Sequence, residues 1–212
     1  MAQVGGLIAA LRLGGVTIYP LVALAVVALV VVLEKAYLFA TRARPPARLL
    51  ELTAASGVAW DGLDREIGAL DSRNGFVRFC RVIAANREQP VWWVESRAAE
   101  EASRIEQSLG RWLWVLETIV TAAPLLGLLG TIVGMIRAFR LFGAEGLVDP
   151  RGVTGGVAEA LVATAAGLFI AIGALLAFNY FSQRLAAAMD AMEQVGTRLV
   201  DALRLAGEQK TP

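Results

Sequence analysis

The sequence contains no histidine and a single cysteine, Cys80. A His-based catalytic triad and a His metal site are therefore impossible within the chain. Neither a disulfide framework nor a CxxC zinc or redox site can form. A lone thiol is ordinarily a small apolar filler. An excess of charge of one sign is missing too: 20 Lys and Arg stand against 19 Asp and Glu, a formal net charge of +1. That leaves no basic footprint for nucleic acid. There is no glycine-rich phosphate loop and no pair of carboxylates inside an apolar stretch. The chain therefore reads as a non-enzyme, with no catalytic residue, no metal and no cofactor.

What the chain has instead is apolar length. It is 57% hydrophobic, with a mean hydropathy of +0.58. Three stretches are long enough for a bilayer, which needs about 20 apolar residues. They are Val16–Leu33, broken only by Thr17, Tyr19 and Pro20, then Thr118–Ile136, then Ala160–Gln183. The first is too long for the core of a secretory signal and runs straight into Glu34 and Lys35, so it reads as a retained span. Most of the Lys and Arg lie between Lys35 and Arg111, and Arg184, Arg198, Arg204 and Lys210 follow the third span. The positive-inside rule then predicts an N-terminus outside, with a cytoplasmic loop and C-terminus. Arg137 and Arg140 weigh against this, since they crowd the outer end of span two.

The helical pattern continues past the spans. Val94, Ala98, Ala102, Ile105, Leu109 and Trp112 form one stripe ahead of span two, with no proline from Val91 to Ala123. Leu185, Met189, Met192, Gly196, Leu199 and Leu203 form another after span three. Both spans are predicted to extend as long helices into the cytoplasm, where their stripes need partners. The remaining loop reads as short helices separated by Pro, Gly and Asn. Trp112, Trp114, Phe178, Tyr180 and Phe181 suit an inner interface belt. The expected organisation is an N-terminal periplasmic segment and first span over 1–41, and a cytoplasmic helical loop over 42–111. Span two follows over 112–142, a periplasmic turn over 143–154, span three over 155–183 and a cytoplasmic helix over 184–212.

One stretch stands out: "PLLGLLGTIVGMI", residues 124–136. On a helix Thr121, Pro124, Gly127, Thr131 and Gly134 share a broad face, which Gly130 widens. Gly and Thr lower helix propensity. Either close helix packing in lipid or a smooth, weakly polar path must compensate. An isolated membrane threonine usually bonds its own backbone one turn back. Span three repeats the pattern with Ala160, Ala163, Thr164, Gly167, Ala171 and Ala174. A second threonine thus falls at a depth similar to the first. Glu159 lies at the outer end, either as an acid favoured at a helix N-terminus or as an acid at the mouth of a polar path. No Asp, Glu, Lys or Arg lies mid-span, so a protonatable group for ion conduction must come from another polypeptide.

"APLLGLLGTIVGMIRAF", "VAEALVATAAGLFIAI…FNYF" and "VVLEKAYLF" resemble the motifs of the MotA/TolQ/ExbB proton-channel family, with the second-helix motif leaning toward ExbB. The resemblance covers all three spans and their order. It implies an all-α membrane protein of three transmembrane helices, helices two and three extended into the cytoplasm, assembling as a pentameric ring in the bacterial inner membrane. It implies an ExbD- or TolR-like single-span partner carrying the membrane Asp, and a TonB- or TolA-like protein that receives the work. By motif position Thr131, Thr164 and Glu159 match the family's functional polar residues. Gly127, Gly130, Gly134, Gly167, Ala163 and Ala171 form the helix-packing or pore face, against which a partner helix would turn. Gly173 stands where many relatives have proline. The function implied is a subunit of a motor driven by the proton motive force that energises TonB-type outer-membrane transport. A TolQ-type role in envelope integrity and a non-conducting membrane scaffold are the alternatives, and H⁺ versus Na⁺ is left open.

Overall fold

In a computed structural model, residues 16–54, 58–140 and 150–208 are described. They form seven α-helices: α1 (Ile18–Thr41), α2 (Ala47–Ala54), α3 (Trp60–Ala69), α4 (Gly75–Ala85), α5 (Val91–Gly110), α6 (Leu113–Arg140) and α7 (Pro150–Glu208). The described residues contain no strand. Three helical stretches are long and apolar enough to cross a membrane. The segment ahead of residue 16 and residues 143–149 of the expected periplasmic turn, 143–154, lie outside the described residues; the rest of that expected turn, 150–154, is helical and begins α7.

The chain divides into two compact units: Met1–Leu33 with Trp112–Asn179, and Glu34–Arg111 with Tyr180–Pro212. The first is the apolar unit. Along α6 one face is buried from end to end, through Leu113, Leu116, Ile119, Ala123, Gly127, Gly130, Gly134 and Ala138. On α7 the buried face carries Ala160, Ala163, Gly167, Ala171 and Ala174. These recur every three or four residues, the helical period. Large side chains such as Leu125, Ile132, Phe169 and Leu176 stay exposed, as they do on a helix facing lipid or another subunit.

The second, polar unit is a helical cluster built on α5 and the C-terminal part of α7. Asn74 begins α4 by accepting the amide hydrogens of Phe76 and Val77, the usual way a helix start is satisfied. Phe76, Val77, Phe79, Cys80 and Ile83 of α4 are buried with Val94, Ile105 and Leu109 of α5 and Met192, Val195 and Leu199 of α7. Contact is close: a Cβ on Gly75 would lie 3.0 Å from side-chain atoms of both Ile105 and Met192. The two stripes read from the sequence on either side of the spans therefore find partners within this unit. Phe181 is a correction. It is buried and stacks on Phe39 with ring centroids 5.7 Å apart, so it packs in a core and does not belong to an interface belt.

A second correction concerns the helix ahead of span two. The absence of proline predicts one uninterrupted helix from Val91 onward, but the chain breaks between α5 and α6. Gly110 ends α5, and Trp112 adopts φ 70°, the left-handed region that ends helices. For a bulky residue this costs about 1–3 kcal/mol. Part of the compensation is visible in the polar unit. Lys35 is fully buried, and its Nζ donates a hydrogen bond of 2.8 Å to the carbonyl oxygen of Leu109. That carbonyl lies in the last turn of α5, where a helix leaves its oxygens without intrahelical donors. The ammonium also meets the negative end of the helix dipole.

Candidate functional site

The geometry of the glycine stripe answers why an apolar span carries it. A Cβ on Gly127 would sit 3.0 Å from the carbonyl oxygen of Ala163 and the Cα of Thr164. One on Gly167 would sit 2.5 Å from the carbonyl oxygen of Ala123. One on Gly134 would approach Ala160 Cβ to 2.9 Å. The backbones of α6 and α7 thus pass in direct, antiparallel contact, which only residues without side chains allow. Gly130 faces Ala163 and is closed further by Thr17, whose Oγ1 lies 2.8 Å from where its Cβ would be. The six small residues Gly127, Gly130, Gly134, Gly167, Ala163 and Ala171 are all buried. The glycines among them meet the chain's own helices, so they seal a hairpin.

The two hydroxyls differ. Thr131 Oγ1 donates to Leu128 O of its own helix at 2.6 Å. Thr164 Oγ1 donates across the seam to Gly127 O at 2.9 Å, tying α7 to α6. Thr164 stands level with Gly127, so Thr131, four residues on, is offset by about 6 Å along the axis at 1.5 Å per residue. Both side chains are half-buried.

Steps of about 100° per residue place the polar groups around the seam. Thr131 falls about 40° to one side of Gly127, and Thr164 about 60° to the same rotational side of Gly167. In antiparallel helices packed face to face, these two flanks open on one common side. Arg137 and Glu159 each fall about 80° the other way. The structure joins them there: Arg137 Nη1 donates to Glu159 Oε1 at 2.9 Å. The three polar residues singled out from the sequence therefore occupy two flanks of one hairpin. The hydroxyls share one, and the carboxylate lies on the other with a guanidinium that sequence reasoning counted only toward topology. The pairing depends on the register of the two helices, in which Gly134 meets Ala160, and the sequence carries no signal of that register.

Gly173 lies in an uninterrupted α7, with nothing within 4 Å of where a Cβ would be. In the polar unit, burial pushes the Cys80 thiol up to about 12. It is an unreactive filler of the kind the sequence led us to expect.

Known proteins are similar to this chain in sequence. The profile of the MotA/TolQ/ExbB proton channel family matches residues 73–194. An ExbB-like biopolymer transport protein of Synechocystis sp. is 31% identical over 202 residues, 88% of this chain and 74% of its own length. The biopolymer transport protein ExbB of Aquifex aeolicus is 34% identical over 39% of this chain and 55% of its own. The Tol-Pal system protein TolQ of Pseudomonas aeruginosa is 40% identical over 53% of this chain. The chain spans about half the length of the last two relatives. With the profile matching more than half of its residues, this multi-pass membrane chain belongs to the MotA/TolQ/ExbB proton channel family.

Proposed function

We propose that the protein is the ring-forming subunit of an ion-driven motor in the bacterial inner membrane. In this reading copies of the hairpin assemble as a homopentamer, with the polar unit in the cytoplasm and the N-terminus in the periplasm. An ExbD- or TolR-like single-span subunit occupies the centre and carries the titrating Asp. Proton flow past it does work on a TonB-like protein that energises outer-membrane transport.

The observation that carries the reading is the open flank of the hairpin. Thr121 is exposed and Thr131 and Thr164 are half-buried along one side of a seam that is otherwise sealed. Such a surface offers weakly polar oxygens, and no fixed charge, to a carboxyl moving past. The glycines support the reading differently from the sequence expectation. They hold the hairpin rigid, and the turning partner would meet the flank beside them.

The test is proton flux into vesicles holding this chain with its single-span partner, against vesicles holding this chain alone. Partner-dependent flux through a complex with five copies of this chain by native mass spectrometry is the expected result. Equal flux in both preparations, or none, would refute the reading. A TolQ-type role in envelope integrity is the second reading, favoured by the similarity to TolQ. It predicts restored detergent resistance in a strain lacking that subunit, without restored TonB-dependent uptake. A silent but well-assembled complex would leave the scaffold.

A further inference from the structure

The ion pair at one end of the hairpin has no place in the packing argument. Arg137 and Glu159 stand at the ends of apolar stretches and join the two helices of the hairpin by their side chains. Their side chains are 45% and 26% exposed, and they are 22 residues apart in sequence. A pair so accessible adds little to stability. The seam beside it is already closed by Gly134 against Ala160 and Gly156 against Ala138. A staple is therefore not needed where the pair is found.

We propose that Arg137 is a positioning residue for Glu159. Its guanidinium holds the carboxylate on the flank away from Thr131 and Thr164, and ion passage depends on the acid being held there. This rests on the motor reading above. Arg137 is given no part in relaying the proton. It acts by fixing where its partner's oxygens lie and by offsetting their charge. Its planar fork presents donors in a set direction, whereas a lysine offers a point charge on a flexible stem. The pair therefore behaves as one unit, whose two members have the same effect when lost.

The experiment measures partner-dependent proton flux in vesicles, with assembly checked by size and thermal melting. Arg137→Gln and Glu159→Gln are each expected to lower flux at least fivefold in fully assembled complexes. The double variant should be no worse than either single one, the mark of coupled residues. Arg137→Lys should recover part of the loss. The decisive variant exchanges the two, Arg137→Glu with Glu159→Arg. It keeps the bond across the helices but moves the carboxylate to α6. Normal melting with flux still lost is the expected result. Normal flux in the exchanged pair, or in Arg137→Gln, would show that the pair is a simple staple and overturn the proposal alone. Wild-type vesicles without partner-dependent flux would overturn the motor reading and this inference with it.

Discussion

Replacing Lys35 by methionine should destabilise the polar unit, although it removes a buried charge. The variant keeps most of the stem volume and deletes the ammonium. Two effects oppose each other. Burying a charge is unfavourable, and replacing a buried ion pair by apolar groups is often neutral or stabilising. Here, however, the partner is a carbonyl oxygen, that of Leu109, 2.8 Å from Nζ. Methionine leaves that acceptor in place, buried and without its donor. A hydrogen bond to a charged group contributes about 1.5–3 kcal/mol. Relief of desolvation offsets part of it, so a net loss of about 1–2 kcal/mol is expected. For a chain of this length that lowers Tm by roughly 2–8 °C. Lys35→Ala, which also opens a cavity, should fall further. The assay is thermal unfolding in detergent followed by tryptophan fluorescence. If Lys35→Met melts at or above the wild-type temperature while Lys35→Ala falls, the side chain contributes volume alone. The account of how the α5 end is satisfied would then be wrong.

Gly167→Ala should disrupt the hairpin, because its Cβ would lie 2.5 Å from the carbonyl oxygen of Ala123 and backbone must move; size-exclusion recovery of assembled protein should drop sharply. Gly173→Ala should be tolerated or should stabilise by about 0.5–1 kcal/mol, since open space surrounds it; a melting temperature below wild type would contradict this. Cys80 should resist maleimide at pH 8 until the protein unfolds, because burial raises its thiol from an ordinary 9.0 to about 12. The sign follows: the unfolded thiol ionises first, so this group's contribution to stability is level below about pH 9 and declines as pH rises toward 12, a slope that Cys80→Ala should remove from pH-dependent melting. For the same reason topology is better probed in that background with a cysteine at exposed Ser96, which should label only from the cytoplasmic side.

The spans, the stripes on α5 and α7 and the small-residue faces were legible in the sequence because each is a periodic pattern, and period survives whatever the neighbours are. The break at Gly110–Trp112 was not. Proline is the strong breaker, and none is present; Gly110 is a weak signal, and a tryptophan in the left-handed region has none. Lys35 was read as a charge marking the end of a span. Its burial depends on α5 ending beside it, a tertiary fact. The Arg137–Glu159 bond was hidden for another reason. Its members lie on different helices, and only the register of Gly134 on Ala160 brings them together.

The two threonines, which the sequence presents as a matched pair, are physically unequal, and this sharpens the test of the motor reading. Thr164 donates to Gly127 O across the seam, so Thr164→Val removes a bond between helices as well as a hydroxyl. Flux lost in that variant has two explanations. Thr131 bonds only one turn back, to Leu128 O, and that carbonyl also lies within the regular bonding of α6. Thr131→Val keeps the volume and removes the oxygen from the open flank with little effect on packing. Normal assembly and melting are therefore expected for Thr131→Val, with flux reduced about tenfold if its hydroxyl contributes one hydrogen bond of about 1.4 kcal/mol to the moving carboxyl. Thr164→Val should lose both flux and some thermal stability. Wild-type flux in a well-assembled Thr131→Val complex would remove the hydroxyl flank from the ion path, leaving Thr164 as a packing residue.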